Sequence, residues 1–120
     1  MTEVLFLPPL RAKRPARAPA GPFFDRRELA TILDVYSRMV AVGEWRDYGL
    51  EGDADGIAFV VFRRAAEVPL YRIVKRARSR RGGTYQVTAP GVVLAGGDDL
   101  RGVLSVFDRK MLRVADRGEA

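Results

Sequence analysis

The stretch Ile57-Ala58-Phe59-Val60-Val61-Phe62 is an uncharged apolar run, and it decides the fold of the chain. It is rich in aromatic and β-branched side chains and is too short for a helix, which favours a β-strand. The turn-forming segment Gly52-Asp53-Ala54-Asp55-Gly56 precedes it, and Arg63-Arg64 follows it. Because successive side chains of a strand point to opposite faces, the run predicts a strand buried on both faces of a sheet.

The residues before this strand predict a helix and a first strand. Asp25 is a suitable N-cap, and Glu28 stands three residues later, which is the spacing of a capping box. Apolar residues then recur at helical spacing until Gly43, which ends the predicted helix. Residues 45–51 are predicted as the first strand, joined to the apolar strand by a hairpin at 52–56.

The residues after the apolar strand predict the rest of the sheet and a second helix. Residues 70–78 and 84–89 are predicted as the third and fourth strands. A short extra strand at residues 92–94 is left as an open alternative. Asp98 is predicted to cap a second amphipathic helix. Its apolar face comprises Leu100, Val103, Leu104, Phe107 and Met111. The predicted fold class is α+β: helix, four-stranded antiparallel meander, helix, with both helices packed on one face of the sheet.

The chain is predicted to hold a single domain at residues 23–115. Residues 1–22 contain five of the seven prolines among Ala, Arg and Lys, which predicts a disordered basic arm, and residues 116–120 are expected to fray. Two helices cover only one face of the sheet, so the other face of the apolar strand needs a cover. Three covers are open: residues 5–10, strong sheet curvature, or a second copy of the chain.

The composition excludes several classes of function. The 120 residues include no cysteine and no histidine, which excludes a disulfide framework, a thiolate nucleophile, a Ser-His-Asp triad and an ordinary zinc site. We predict no cofactor, no metal site and no small-molecule substrate. The apolar runs are far shorter than the ~20 residues of a membrane-spanning helix. Basic residues follow Val4-Leu5-Phe6-Leu7, the opposite of the order in a secretory signal, so we expect a cytoplasmic protein.

The net charge of +6 is spread unevenly along the chain. Residues 1–24 carry +3, residues 25–56 carry −4, residues 57–97 carry +7 and the remainder is neutral. A basic excess of this kind suits an anionic partner, whereas pairing with the acidic segment or simple solvation is the structural alternative.

Several stretches resemble a known family. They are Phe24-Asp25-Arg26-Arg27-Glu28-Leu29, Gly43-Glu44-Trp45-Arg46-Asp47-Tyr48, and Phe62-Arg63-Arg64 with Glu67-Val68-Pro69-Leu70-Tyr71-Arg72-Ile73. Together they resemble a family of short uncharacterised bacterial proteins, a domain of unknown function of alphaproteobacterial type. The resemblance covers roughly residues 23–113 and implies a single compact domain. It brings no activity, cofactor or catalytic residue.

The strongest candidate site is a cluster of arginines on and around the third strand. Its members are Arg63, Arg64, Arg72, Arg76, Arg78, Arg80 and Arg81. Alternation places Arg72, Arg76 and Arg78 on one face, and the planar arginine fork suits phosphate oxygens. Tyr71 is a candidate for base stacking beside them. Solvation, or internal pairing with residues 25–56, is the alternative reading of the same residues.

Glu67 is the only acidic residue between Gly56 and Asp98. We predict that it forms a structural ion pair with Arg63, Arg64 or Arg72. The carboxylates at Asp53 and Asp55 are explained by turn preference and suggest no catalytic or metal site.

These observations favour a small non-catalytic binding module. The leading hypothesis is protein–protein association, including self-association, because the apolar strand needs a cover on its second face. The alternative is nucleic-acid binding through the arginine-rich face of the third strand.

Overall fold

The structure is a computed structural model that describes residues 23–64, 68–77 and 83–109, without the side chain of Asp53. Several predictions fall outside these residues. They concern the arm at residues 1–22, the ion pair of Glu67, the positions of Arg78, Arg80 and Arg81, and the chain beyond residue 109.

The first helix, α1 (Arg26–Ala41), begins as the sequence predicts. The Asp25 side chain accepts a hydrogen bond from the Glu28 backbone N–H at 2.8 Å, and the Glu28 side chain accepts one from the Asp25 N–H at 2.7 Å. These two bonds form the predicted capping box and satisfy N–H groups that have no partner inside the helix. At the other end Gly43 adopts a φ of 82°, which favours glycine and turns the chain toward the sheet.

The sheet contains five antiparallel strands in the order β1-β2-β3-β4-β5. Their bounds are β1 Asp47–Asp53, β2 Gly56–Phe62, β3 Tyr71–Arg76, β4 Tyr85–Ala89 and β5 Val92–Gly97. The prediction of a four-stranded meander is therefore wrong by one strand. Glycines close the fifth strand, and Leu94 is an extra residue opposite Val87/Thr88, so the strand lacks both the alternation and the long apolar run that predict a strand.

Several predicted boundaries also shift, and the first hairpin turn, predicted at residues 52–56, comprises only residues 54–55. Trp45 is not in the first strand but lies in the core, 1% exposed, with its ring against Phe107. The third strand ends at Arg76 and not at Arg78. The second helix, α2 (Leu100–Leu104), is capped by Asp99, because the Asp98 carboxylate instead accepts hydrogen bonds from the backbone and hydroxyl of Thr84. Residues 106–109 form a further helical turn.

The sheet has a helix-covered face and a helix-free face. On the helix-covered face Phe59 lies between Leu50 and Ile73, and Val61 lies between Tyr48 and Tyr71. Both helices pack here, and their apolar residues join those of the strands in one core. The buried part of this core comprises Ile32, Val35, Met39, Trp45, Phe59, Val61, Ile73, Val87, Leu100, Val103, Leu104 and Phe107.

The helix-free face is formed by the alternate residues of the same strands. Val60 lies between Gly49 and Arg72 there, and Ala58 lies between Glu51 and Val74. Residues 57–61 of β2 are all buried, which confirms that this strand is buried on both faces. Among the described residues no helix packs on this side of the sheet.

Candidate interaction surface on the helix-free face

A groove of about 390 Å³ runs across the helix-free face. Its walls and floor are formed by Glu51, Gly52, Asp55, Gly56, Ile57, Ala58, Arg72, Val74 and Arg76. We call Glu51 and Asp55, on the β1–β2 hairpin, the acidic rim, and Arg72 and Arg76, on β3, the basic rim. Small residues lie between the two rims, so the groove has an apolar floor with opposite charges along its two sides.

The groove exists because β2 carries small residues where its neighbours carry long ones. A Cβ atom at Gly56 would lie 2.6 Å from the backbone carbonyl oxygen of Lys75, so only glycine allows β2 and β3 to approach this closely. Ala58 is 8% exposed and adds a single methyl group to the floor. A long side chain at position 58 would fill the space between the rims.

The two rims are joined by an ion pair. The Arg72 guanidinium lies 3.3 Å from the Glu51 carboxylate, and the two side chains are 43% and 57% exposed. Since β2 lies between β1 and β3, this pair must cross over β2 and shield it. An ion pair this exposed contributes less than about 1 kcal/mol to stability. The rims as a whole carry two carboxylates and two guanidinium groups, so the groove is balanced in charge.

The structure brings together only part of the predicted arginine cluster. Arg72 and Arg76 share the helix-free face, as alternation predicts, whereas Arg63 and Arg64 lie beyond the opposite end of β2. Arg63 pairs with Glu44 at 3.4 Å. The remaining three members of the predicted cluster lie outside the described ranges.

Tyr71 lies apart from Arg72 and Arg76. It belongs to the helix-covered face, where its ring centroid is 5.1 Å from that of Phe107 and 6.1 Å from that of Trp45. Alternation along β3 is the reason, because neighbouring residues of a strand point to opposite faces. A base stacked on Tyr71 would therefore not reach the basic rim.

The helix-covered face holds a polar cluster that links α1 to β3 and β4. The Lys75 ammonium donates to the Glu28 carboxylate at 2.8 Å and to the Phe23 carbonyl oxygen at 3.0 Å. The Tyr85 hydroxyl donates a hydrogen bond to the other Glu28 oxygen. The Lys75 and Glu28 side chains are only 21% and 11% exposed, so this pair is far better shielded than the pair between the rims.

The pKa values reflect this shielding. Burial raises the pKa of the Glu28 carboxyl, but hydrogen bonds from Lys75 and Tyr85 outweigh it, and the pKa lies below its usual 4.5. Burial and the hydrogen bond to Glu28 raise the pKa of the Tyr85 hydroxyl to about 12. The sequence shows Glu28 as a capping residue and Lys75 as facing away from Arg72, but no local pattern connects positions 47 residues apart.

Charges of the acidic segment 25–56 thus pair with charges of the basic segment 57–97. Glu28 pairs with Lys75, Glu44 with Arg63, and Glu51 with Arg72. Internal pairing, the structural alternative for the arginine cluster, therefore accounts for two of its described members. In the described part of the chain, no three acidic residues lie close enough to hold a metal ion. No helix among the described residues is sufficiently long and apolar to cross a membrane.

Residues 22–104 match the family described as "Protein of unknown function (DUF2794)". The matched stretch contains both helices and all five strands. No curated protein and no solved structure is detectably similar to the chain. The predicted resemblance to uncharacterised proteins is confirmed, and the comparisons supply no ligand or activity.

Proposed function

The chain belongs to this family of proteins of unknown function, and we propose that it is a non-catalytic module that associates with protein, a second copy of itself included. The observation that carries the proposal is the helix-free face, where an apolar floor lies between rims of opposite charge. Charges of both signs beside an apolar floor can be matched by the complementary charges of a protein partner, which fix the register of a contact.

The charge balance of the groove favours protein over a polyanion. A phosphate at Arg72 would also meet the Glu51 carboxylate, which lies 3.3 Å from the guanidinium and would repel the phosphate. A protein surface presents charges of both signs and can satisfy both rims together. The proposal places the module in the cytoplasm, and a sequence without cysteine is compatible with that compartment.

The test is the molar mass of the full chain, measured by size-exclusion chromatography with light scattering over a dilution series. We expect a mass that rises above that of one chain as the concentration increases. A mass of one chain at every concentration would contradict self-association, which is the part of the proposal that needs no second protein.

Nucleic-acid binding is a second candidate function, supported by the position of Arg72 and Arg76 on one face beside an open groove. It predicts affinity for RNA or DNA that falls steeply with salt, because each phosphate contact releases counterions. Fluorescence anisotropy with single- and double-stranded probes at about 50 mM salt measures this affinity where such contacts are strongest. Replacement of Arg72, Arg76 and Arg78 by glutamine would then abolish binding. No binding to any probe would remove this candidate.

A further inference from the structure

We propose that the helix-free face is self-complementary and binds a second copy of the chain, with β2 of one copy lying over β2 of the other. This inference rests on the proposed association function and names its partner and its geometry. It follows from the arrangement of the rims, which places negative charge on one side of β2 and positive charge on the other.

Symmetry decides which charges meet. In a two-fold contact the same patch is used by both copies. When two sheets pack face to face about an axis parallel to β2, the β1 side of one copy faces the β3 side of the other. The acidic rim of each copy then lies opposite the basic rim of its partner, and both pairs of rims attract.

The alternative two-fold axis fails on charge. An axis in the plane of the contact but perpendicular to the strands would place β1 over β1 and β3 over β3. Glu51 would then meet its own copy, and Arg72 would meet its own copy, and like charges in apposition cost free energy. The charge pattern therefore selects one axis, and with it one alignment of the two sheets.

The shape of the face suits the same arrangement. Packed sheets lie about 10 Å apart with nearly aligned strands, which requires side chains that interdigitate. Gly56 and Ala58 of β2 carry no more than a methyl group and leave the centre of each groove open. The long arginine side chains of one copy can lie in the groove of the other, where they fill the space above its small floor residues.

The ion pair within each chain does not oppose this contact. Glu51 and Arg72 are 57% and 43% exposed, and a pair of this kind is worth little in water. Each partner can turn to the opposite charge of the second copy, where the contact excludes solvent and strengthens the attraction. In the single chain the pair keeps the charge of the face balanced. In the dimer Glu51 of each copy pairs with the basic rim of the other copy, and Arg72 pairs with the acidic rim.

A mixing experiment with two charge-reversal variants tests the inference. Glu51→Arg gives a face with arginines on both sides, and Arg72→Glu gives a face with carboxylates on both sides. Neither variant can pair with itself, and the pair within the chain is broken in both. In the mixture one variant carries arginine at positions 51 and 72 and the other carries glutamate at both, so opposite charges meet across the contact at each position. Only a contact between copies can restore attraction, so light scattering should show single chains for each variant alone and a dimer for the mixture.

The matched controls are Glu44→Arg and Arg63→Glu, which reverse another exposed ion pair away from the groove. Both should self-associate as the wild-type chain does. Thermal melts confirm that each variant is folded, and Glu51→Lys replaces Glu51→Arg in the same mixture if the arginine variant does not fold.

The outcomes separate the inference from the function on which it rests. If the wild-type chain self-associates but the two variants do so as well, or their mixture remains monomeric, the inference is wrong and the association function stands. If the wild-type chain remains monomeric throughout, the self-association part of the function is wrong and the inference falls with it.

Discussion

The two faces of the sheet differ in what their side chains do, although the same five strands supply both. On the helix-covered face large rings interlock, with Phe59 stacked on Tyr48 at a centroid distance of 4.7 Å and Trp45 edge-on to Phe107 at 4.9 Å. On the helix-free face the central residues are small and are flanked by exposed charges. The helix-covered face therefore supplies most of the core, and the helix-free face is the surface on which we propose that a partner binds.

The charges of the two faces show the same division. Lys75 and Glu28 on the covered face are largely buried and are joined by a network that includes Tyr85. Arg72 and Glu51 on the free face are roughly half exposed. Removing a partner from the first pair leaves a shielded charge without compensation, whereas water replaces a partner lost from the second.

The largest expected effect is on the covered face. Phe59→Ala removes a fully buried ring and should lower the free energy of unfolding by about 3–5 kcal/mol. The neighbouring Val60→Ala, on the free face, should cost only about 2 kcal/mol, because two methyl groups are removed. Urea denaturation of the two variants measures both values. Equal losses would show that the helix-free face is as important for stability as the helix-covered face, and would contradict the difference proposed between the two faces.

Lys75→Met should cost about 1–3 kcal/mol, because it leaves the shielded Glu28 carboxylate without its cation. The matched control is Arg38→Met, which breaks a pair with Asp34 whose side chains are 50% and 69% exposed, and should cost less than about 0.5 kcal/mol. Urea midpoints of the two variants are compared at neutral pH. A Lys75 variant no less stable than the control would mean that the polar cluster contributes little to the fold.

The same cluster predicts how stability depends on pH. The pKa of Tyr85 is raised from 10 to about 12, so the folded chain holds this proton more tightly, and stability should fall as the pH rises through that range. The pKa of Glu28 is lowered below 4.5, so its contribution is present above that value and is lost as the pH falls through the folded pKa. The alkaline loss should be on the order of 1 kcal/mol after solvent screening.

Tyr85→Phe separates this effect from that of other tyrosines. Denaturant midpoints measured from neutral to alkaline pH should fall less steeply in this variant than in the wild-type chain. An unchanged slope would assign the alkaline loss to other groups and would argue against the hydrogen bond between Tyr85 and Glu28.

Of the two faces of the sheet, the helix-free face should show the smaller effect on stability when a charge is removed. Arg72→Gln removes one partner of an exposed pair and should cost less than about 1 kcal/mol. Differential scanning calorimetry should show a melting temperature close to that of the wild-type chain, whereas light scattering should show weaker self-association. A large fall in the melting temperature would mean that the rims serve the fold and not a partner.

Much of the fold could be predicted from local patterns. The capping box at Asp25 and the uncharged run of β2 are strong signals, because each lies within a few neighbouring residues. The sequence of the fifth strand indicates only a short extra stretch at residues 92–94, because the bulge at Leu94 breaks the alternation and glycines flank the strand. The local pattern predicts a strand at Trp45, because the contact that buries its ring is with Phe107, which is distant in sequence.

The candidate site was predictable only in part for the same reason. Alternation correctly places Arg72 and Arg76 on one face, because this depends on the geometry of a single strand. The partner of Arg72 is Glu51, two strands away, and the unequal charges of residues 25–56 and 57–97 indicate such pairing without naming the partners. The groove itself depends on the approach of three strands, which no local pattern shows.

The central claim, that the helix-free face is the contact surface, is tested most directly by valine methyl NMR of the wild-type chain over a dilution series. Val74 lines the groove, and Val40 is a valine on α1 that is 42% exposed and lies outside the groove. We predict that the Val74 methyl signals shift as the molar mass rises, while those of Val40 do not. Val74 signals that remain constant while the mass rises would contradict the claim.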